Sequence, residues 1–182
     1  DDGEVARATS ALGVVTRSVY DGQGRLRSTW DEADEAGTRV DYFFDFPRSC
    51  PAERCTFVAG ELAEARFPLR GEAEPGSIWQ GRDDAGQVIY EGQNVRGRLF
   101  ESFSEYDDNG SRVARTFPDG TRVTYAYDDA LRLAWIGGVV DEVEYNEFGE
   151  VAQVELSNGT TQRWQYDERS RLRSTQLTGA AG

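Results

Sequence analysis

Three acidic pairs are the first residues in this sequence that could do chemistry: Asp83-Asp84, Asp107-Asp108 and Asp128-Asp129. Two carboxylates facing one another across a cleft can hydrolyse a glycosidic bond, and acidic turns can hold calcium. No complete EF-hand spacing is present, however, and the pairs recur in one local pattern. The chain has no histidine, so no Ser-His-Asp or Cys-His arrangement can exist. Neither a GxGxxG nor a Walker loop occurs. Cys50 and Cys55 sit in SCPAERC with a proline between them. They read either as a small disulfide loop, which favours oxidising surroundings, or as two free thiols. A zinc site wants about four ligands, and no histidine can supply the rest. The inventory therefore predicts no catalytic residue, no cofactor and no metal.

The elements that carry the acids explain them better. YDDNGSRVART starts at Tyr106, YDDALRLAWI at Tyr127, YNEFGEVAQVEL at Tyr145 and YDERSRLRSTQL at Tyr166, so the tyrosines are 21, 18 and 21 residues apart. Upstream, YDGQGRLRSTW starts at Tyr20 and RDDAGQVIYEG at Arg82, and DDGEVARAT fits the pattern with its tyrosine missing, Gly3 lying 21 residues before Gly24. Recurrence at a fixed short period is the mark of a repeat architecture. Before each tyrosine lies a period-2 stretch such as TRVTYAY (121–127) or TTQRWQY (160–166), which predicts a strand. The D-x-x-G element reverses the chain: the aspartate accepts backbone N–H groups and the glycine takes positive φ. A second strand follows, such as SRVARTF (111–117), and PDG (118–120) or SNG (157–159) closes the next hairpin. Tyr20, Asp21, Gly24, Tyr106, Asp107, Gly110, Tyr127, Asp128, Tyr145, Gly149, Tyr166 and Asp167 are thus expected to be turn and packing residues. Tyrosine and Leu/Val positions should face one side of the sheet. Arg, Gln, Thr and Glu should face the other, where cross-strand ion pairs of under ~1 kcal/mol each are expected.

Composition agrees with a folded, turn-rich chain. Of 182 residues 38% are hydrophobic and 12% aromatic, with 20 glycines and 5 prolines. The net charge of −13 repels nucleic-acid phosphates and anionic lipid. No run approaches a membrane span, and no signal peptide is visible. The sequence opens on Asp1-Asp2 without a methionine, which fits a processed chain or a piece of a longer one.

The motif G-x-x-Y-x-Y-D-x-x-G-R-L, matched best by TRVTYAYDDALRL (121–133) and TTQRWQYDERSRL (160–172), resembles the YD repeats of the Rhs family. That family includes Rhs polymorphic toxins, the B and C components of insecticidal toxin complexes, WapA-like proteins and teneurins. The resemblance covers most of 80–177, together with 1–30. It implies an all-β fold of consecutive antiparallel β-hairpins in a curved, spiralling sheet, part of a hollow shell. It further implies a secreted or cell-surface bacterial protein whose shell encloses a toxin domain. The expected partners are other YD-repeat segments of the same or a partner chain and an encapsulated toxin domain, with no nucleic acid and no membrane span. The aspartate-bearing motif of the family's autoproteolytic end is absent here, so no protease residues are carried over. This sequence departs from the pattern where Ala130 or Leu131, depending on register, and Ser170 replace glycine, where Asn146 replaces aspartate, and where Arg82 replaces tyrosine. Such replacements point to turns less strictly shaped by glycine.

Residues 31–79 match the motif poorly and separate repeat hairpins at 1–30 from those at 80–182. The gap from Tyr20 to Arg82 is 62 residues, room for two degenerate copies or one insertion. Glu32 to Gly37 reads as an acidic turn or loop. VDYFFDFP (40–47) reads as a strand ended by Pro47. CTFVAGEL (55–62) and ARFPLRGEAEPG (65–76) read as short strands and loops, with one or two helical turns as the alternative for ELAEARF. Tyr42, Phe43, Phe44 and Phe46 serve either core packing or a partner-docking patch. The leading function is a non-enzymatic shell segment. The alternative is an extracellular carbohydrate or cell-surface binding and adhesion module, which exposed tryptophans among Trp30, Trp79, Trp135 and Trp164 would favour.

Overall fold

A computed structural model describes residues 5–51 and 53–179, and Gly3 of the first copy lies outside them. The chain is nearly all-β. Its strands are β1 (Val5–Thr9), β2 (Val15–Tyr20), β3 (Leu26–Asp31), β4 (Val40–Phe44), β5 (Leu62–Phe67), β6 (Gly76–Arg82), β7 (Val88–Val95) and β8 (Arg98–Tyr106). They continue as β9 (Arg112–Thr116), β10 (Arg122–Tyr127), β11 (Leu133–Ile136), β12 (Val140–Tyr145), β13 (Val151–Leu156), β14 (Thr161–Tyr166) and β15 (Leu172–Thr178). A single helical turn, α1 (Glu35–Thr38), is capped by the Asp34 carboxylate, which accepts from the Gly37 N–H at 2.9 Å. Two compact units are present, the first ending at Phe103 and the second starting at Ser104. Within each, every strand pairs antiparallel with its neighbours in the chain, the consecutive-hairpin topology that short turns enforce.

The pairing carries a recurrent irregularity. The register shifts immediately before Tyr20, Phe44, Arg82, Tyr127, Tyr145 and Tyr166. A bulge at that point twists the strand end and re-aims its last side chain. Each of these residues then pairs with the first residue of the next strand: Tyr20 with Leu26, Tyr127 with Leu133, Tyr145 with Val151 and Tyr166 with Leu172.

In the second unit the alternation expected from the sequence is visible in the cross-strand rows. One row runs Glu144, Gln153, Arg163, Gln176; the row beside it runs Val143, Val154, Gln162, Leu177, where Gln162 departs from the expected face. Burial is sparse there. Among the described residues of this unit only Ala114 and Val140 are buried hydrophobics. A sheet with this little covered surface does not bury enough apolar area to stand as a two-layer domain.

The first unit has a small core. Cys55, Trp79 and Tyr90 form its centre, with Cys50 and Phe103 packed against them. The Tyr90 and Phe103 ring centroids lie 5.4 Å apart in a tilted arrangement. Of the short strands and loops expected across CTFVAGEL, residues 55–61 form no strand. They belong to a loop, and β5 begins only at Leu62, because Cys55 and Val58 turn inward to cover the sheet. ELAEARF is strand β5 rather than helix: pairing on both sides, to β4 and β6, outweighs its helix-forming composition. VDYFFDFP stops being a strand at Phe44, three residues before Pro47, because Asp45 takes a φ of +67°. The acidic 32–37 stretch includes the start of α1.

Candidate functional site

The repeated D-x-x-G turns are the candidate site, and their geometry is nearly invariant. The Asp21 N–H donates to the Arg25 carbonyl at 2.9 Å, and the Gly24 N–H donates to the Asp21 carbonyl at 2.9 Å. The carboxylate of Asp21 accepts from the Gln23 and Arg25 N–H groups, both at 2.9 Å. The same set recurs at Asp83, Asp107, Asp128, Asn146 and Asp167. The first acid of each pair is therefore engaged by its own turn, while the second acids, Asp84, Asp108 and Asp129, are exposed. Each engaged residue satisfies backbone donors that would otherwise lack partners at the reversal.

A third contact tunes three of these turns. Arg25, Arg132 and Arg171 place Nε 2.8 Å from Oδ2 of Asp21, Asp128 and Asp167. The Asp21 carboxyl lies below the usual carboxylate range because the Arg25 backbone N–H and guanidinium stabilise its charge. Asp128 and Asp167 are lowered first by the side-chain hydrogen bonds from Arg132 and Arg171. In the fourth place after Asn146 stands Glu150 instead, and the Asn146 amide donates to Glu150 Oε2 at 2.7 Å. With a carboxylate at 150 in place of a guanidinium, the amide at 146 supplies a donor where a second carboxylate would repel.

The glycine place is held at positive φ throughout: +77° at Gly24, +81° at Gly86 and Gly110, +83° at Gly149. Leu131 at +59° and Ser170 at +58° occupy the same region. The turns without glycine are thus as strictly shaped as the others. This corrects the expectation of a relaxed turn, and it settles the register in favour of Leu131 over Ala130. An L side chain in this region costs roughly 1–2 kcal/mol.

The tyrosines couple one copy to the copy before it. Tyr127 donates its hydroxyl to the Arg112 carbonyl at 3.0 Å, Tyr145 to Leu133 at 2.8 Å, and Tyr166 to Val151 at 3.0 Å. Leu133 and Val151 are the strand partners of the preceding tyrosines, Tyr127 and Tyr145. Every acceptor lies six residues after the tyrosine of its own copy. Arg132 additionally lies over the Tyr145 ring, 4.2 Å from its centroid.

Phe44-Asp45 stands in the same place as a Tyr-Asp pair. Phe44 follows a register shift and pairs with Leu62. Arg25 lies over its ring at 4.5 Å, as Arg132 lies over Tyr145. The Asp45 N–H donates to the Glu61 carbonyl at 3.1 Å, and the Asp45 carboxylate accepts from Gly60 N–H and Arg25. Here the reversal spans 45–61. Sequence reading missed this copy because its turn is longer than the others, although F-D after an alternating apolar run carries the signal. It also missed the tight β7–β8 hairpin, where Arg96 and Gly97 have φ of +53° and +72°.

The long turn is pinned at several points. Cys50 and Cys55 are joined in a disulfide. The fully buried Glu64 carboxylate accepts from the Arg48 N–H, from the Ser49 N–H and hydroxyl (2.9 and 2.6 Å), and from Arg66 at 2.6 Å. Burial pushes its carboxyl up, but the Ser49 and Arg66 hydrogen bonds outweigh this and hold it below the usual range. Thr56 brackets Arg82, accepting its N–H at 3.0 Å through the carbonyl and donating its hydroxyl to the Arg82 carbonyl at 2.7 Å. The loop passes so close to β6 that a Cβ on Gly81 would lie 1.8 Å from the Arg54 carbonyl oxygen. Only glycine fits there. Of the four aromatics singled out, Tyr42, Phe43 and Phe44 are half-buried in β4, Phe43 beneath Arg48 and Arg66, and Phe46 is 79% exposed. Phe57, at φ +50°, is also exposed.

No group of three or more His, Cys, Asp or Glu side chains is placed to hold a metal among the described residues, and no helix there is long and apolar enough to cross a membrane. Trp79 is buried and donates to the Tyr90 hydroxyl at 3.1 Å, Trp30 and Trp164 are half-buried, and Trp135 is 37% exposed.

Residues 145–182 match the family model of the RHS Repeat. The crystal structure of TcdB2-TccC3-Cdc42 is similar in fold, with a TM-score of 0.69 and 16% identity over 97% of this chain and 10% of that one. The crystal structure of TcdB2-TccC3 gives a TM-score of 0.68 at 16% identity over 99% of this chain and 11% of that one. The form of TcdB2-TccC3 without its hypervariable C-terminal region gives 0.69 at 17% identity over 97% and 10%. This chain thus spans about a tenth of the length of the solved chains it matches. No curated protein matches the sequence. The Rhs/YD-repeat resemblance drawn from the tyrosine–aspartate motif stands, as does the all-β fold of consecutive antiparallel hairpins.

Proposed function

We propose that this chain is a non-enzymatic wall segment of an Rhs/YD-repeat shell, which encloses a toxin domain in a secreted bacterial protein. The observation that carries the reading is the constancy of the turn. The first acid of each recurrent turn spends its carboxylate on its own backbone, and three tyrosine hydroxyls tie copy to copy. In none of the three acidic pairs are both carboxylates left without a backbone contact. The sparse burial of the second unit supports it, since a wall needs neighbours rather than a closed core. The solved chains of similar fold belong to TcdB2-TccC3 assemblies, which supports a partner toxin polypeptide.

In this reading 31–79 is one degenerate copy, Phe44-Asp45, whose turn has grown into a disulfide-stapled flap. The flap seals the Trp79–Tyr90 region, and the repeat hairpins of 1–30 and 80–182 flank it. Tyr42, Phe43 and Phe44 then serve packing, and Phe46 is the exposed member. The tryptophans support the wall over a carbohydrate-binding or adhesion module, because Trp79 is buried and only Trp135 reaches 37% exposure. The test is the intact mass of the polypeptide that contains this segment and of everything that co-purifies with it from the native source. Co-purification with further YD-repeat polypeptide or a small toxic domain is the expected outcome. A lone 20.3 kDa species that binds immobilised glycans would replace the wall reading with the adhesion one.

A further inference from the structure

One cleft of the first unit takes no part in the repeat contacts. The connection from β5 to β6, residues 68–75, contains a reversal in which the Glu72 N–H donates to the Leu69 carbonyl at 3.0 Å. The β7–β8 turn is tied to it by Arg96, whose Nε lies 3.2 Å from Glu72 Oε1. Residues of both line a cleft of about 470 Å³, within the size range of small-molecule sites. The cleft is also lined by a row of directly paired residues on three adjacent strands: Arg66 of β5, Ser77 of β6 and Asn94 of β7. Neighbouring strands lie about 4.8 Å apart, so the row spans about 10 Å.

The polar groups of that row are left open. Ser77 is only 6% exposed, yet its hydroxyl has no hydrogen-bond partner among the described residues, and neither has the Asn94 amide. Arg66 commits its Nε to Glu64 at 2.6 Å and lies over the Phe43 ring, which leaves its two Nη groups for another partner. Buried polar groups are almost always satisfied, so the row calls for a polar occupant. The cleft carries charges of both signs, Arg66 and Arg96 against Glu72 and Glu74. Glu74 has no ion pair among the described residues. A plain anion would meet the two carboxylates, in a chain already at −13. A plain cation would meet the two arginines. A ligand with adjacent opposite charges avoids both penalties. We propose that this cleft binds a free α-amino acid with a polar, uncharged side chain. The planar fork of Arg66 takes the carboxylate, Glu74 faces the ammonium group, and Ser77 and Asn94 hydrogen-bond the side chain.

The inference is independent of the wall reading, since a wall segment and a free-standing module carry the same cleft. The test titrates the full chain with L-serine, L-threonine, L-asparagine and L-glutamine. Propionate and propylamine serve as carriers of one charge each. The readout is the NMR shift of the backbone amides of Arg66, Ser77 and Asn94. At least one of the four amino acids is expected to saturate with a Kd of about 1 mM or tighter, at least about tenfold tighter than either single-charge probe. Glu74→Gln, at an exposed residue, should leave the melting temperature unchanged and weaken binding about fivefold. Ser77→Ala should weaken it by up to about tenfold. Glu74→Arg should move the preference to propionate. Shifts that fail to saturate with all four amino acids overturn the proposal. So does propionate binding as tightly as the amino acids, which would make this an anion site only. A Glu74→Gln variant that binds as the parent does overturns it as well.

Discussion

The turn at 145–150 offers a sharp test of why the repeat varies as it does. In three sister turns an aspartate faces an arginine four residues on. At 146 an asparagine faces Glu150, with the amide nitrogen 2.7 Å from the carboxylate. Substituting Asn146→Asp restores the family's residue and should still destabilise the protein. It deletes one hydrogen bond and brings two carboxylates to nearly the same separation. Two like charges at 4 Å repel by about 1 kcal/mol in water and about 4 at an effective dielectric of 20. Both side chains are half-exposed, so a cost of about 1–2 kcal/mol is expected at neutral pH. For a chain of this size that lowers the melting temperature by about 2–8 °C. Adding Glu150→Arg should recover the loss by recreating the aspartate–arginine turn. The assay is a double-mutant cycle by urea unfolding at pH 7, with a coupling energy of at least about 1 kcal/mol expected. If the Asn146→Asp variant is as stable as the parent, or if Glu150→Arg helps equally with either residue at 146, the account of the exchange is wrong.

Further expectations follow from the same contacts. Tyr145→Phe and Tyr166→Phe each remove a hydroxyl bond to a strand carbonyl and should cost about 0.5–1.5 kcal/mol, with faster amide exchange in both strands of the affected pair. Leu131→Gly removes left-handed strain from an exposed side chain and, after the extra unfolded-state entropy of glycine, should stabilise by about 0.5–1 kcal/mol in thermal melts. Reducing the Cys50–Cys55 disulfide, whose sequence separation is 5, should lower stability by about 2 kcal/mol through unfolded-chain entropy, with increased proteolysis confined to 45–61. Asp21, Asp45, Asp128 and Asp167 all titrate below the ordinary carboxylate range. Their contribution is complete above the unfolded value of about 4 and is lost as pH falls through the depressed folded values. The urea midpoint should therefore drop below about pH 4 and stay flat between about 5 and 7.

Much of this architecture was legible in the sequence because its cause is local. An aspartate that accepts the second and fourth backbone N–H groups after it needs no distant partner, so each turn announces itself in four residues. Period-2 alternation before each tyrosine fixed the strands and their facing rows for the same reason. What escaped was non-local. The tyrosine hydroxyls reach carbonyls of another copy, 12 or 15 residues away, and no periodicity records that. The Phe44-Asp45 copy was hidden because its turn closes at Glu61 rather than four residues on, which breaks the spacing that made the others visible. Leu131 was read as a loosened turn because composition suggests so, but the hydrogen bonds around Asp128 force its backbone into the glycine region.

The central claim is that this sheet is a wall, and protease protection tests it most directly. The native polypeptide containing this segment is treated with a broad-specificity, acid-tolerant protease at neutral pH and again, after reduction, below about pH 4, where the repeat turns lose their charged carboxylate contacts. The fragments are then weighed. The account requires that a co-purifying toxic domain survive intact at neutral pH and be digested once the wall is opened. A domain cleaved equally fast in both states would contradict enclosure and leave this chain a repeat-built binding surface.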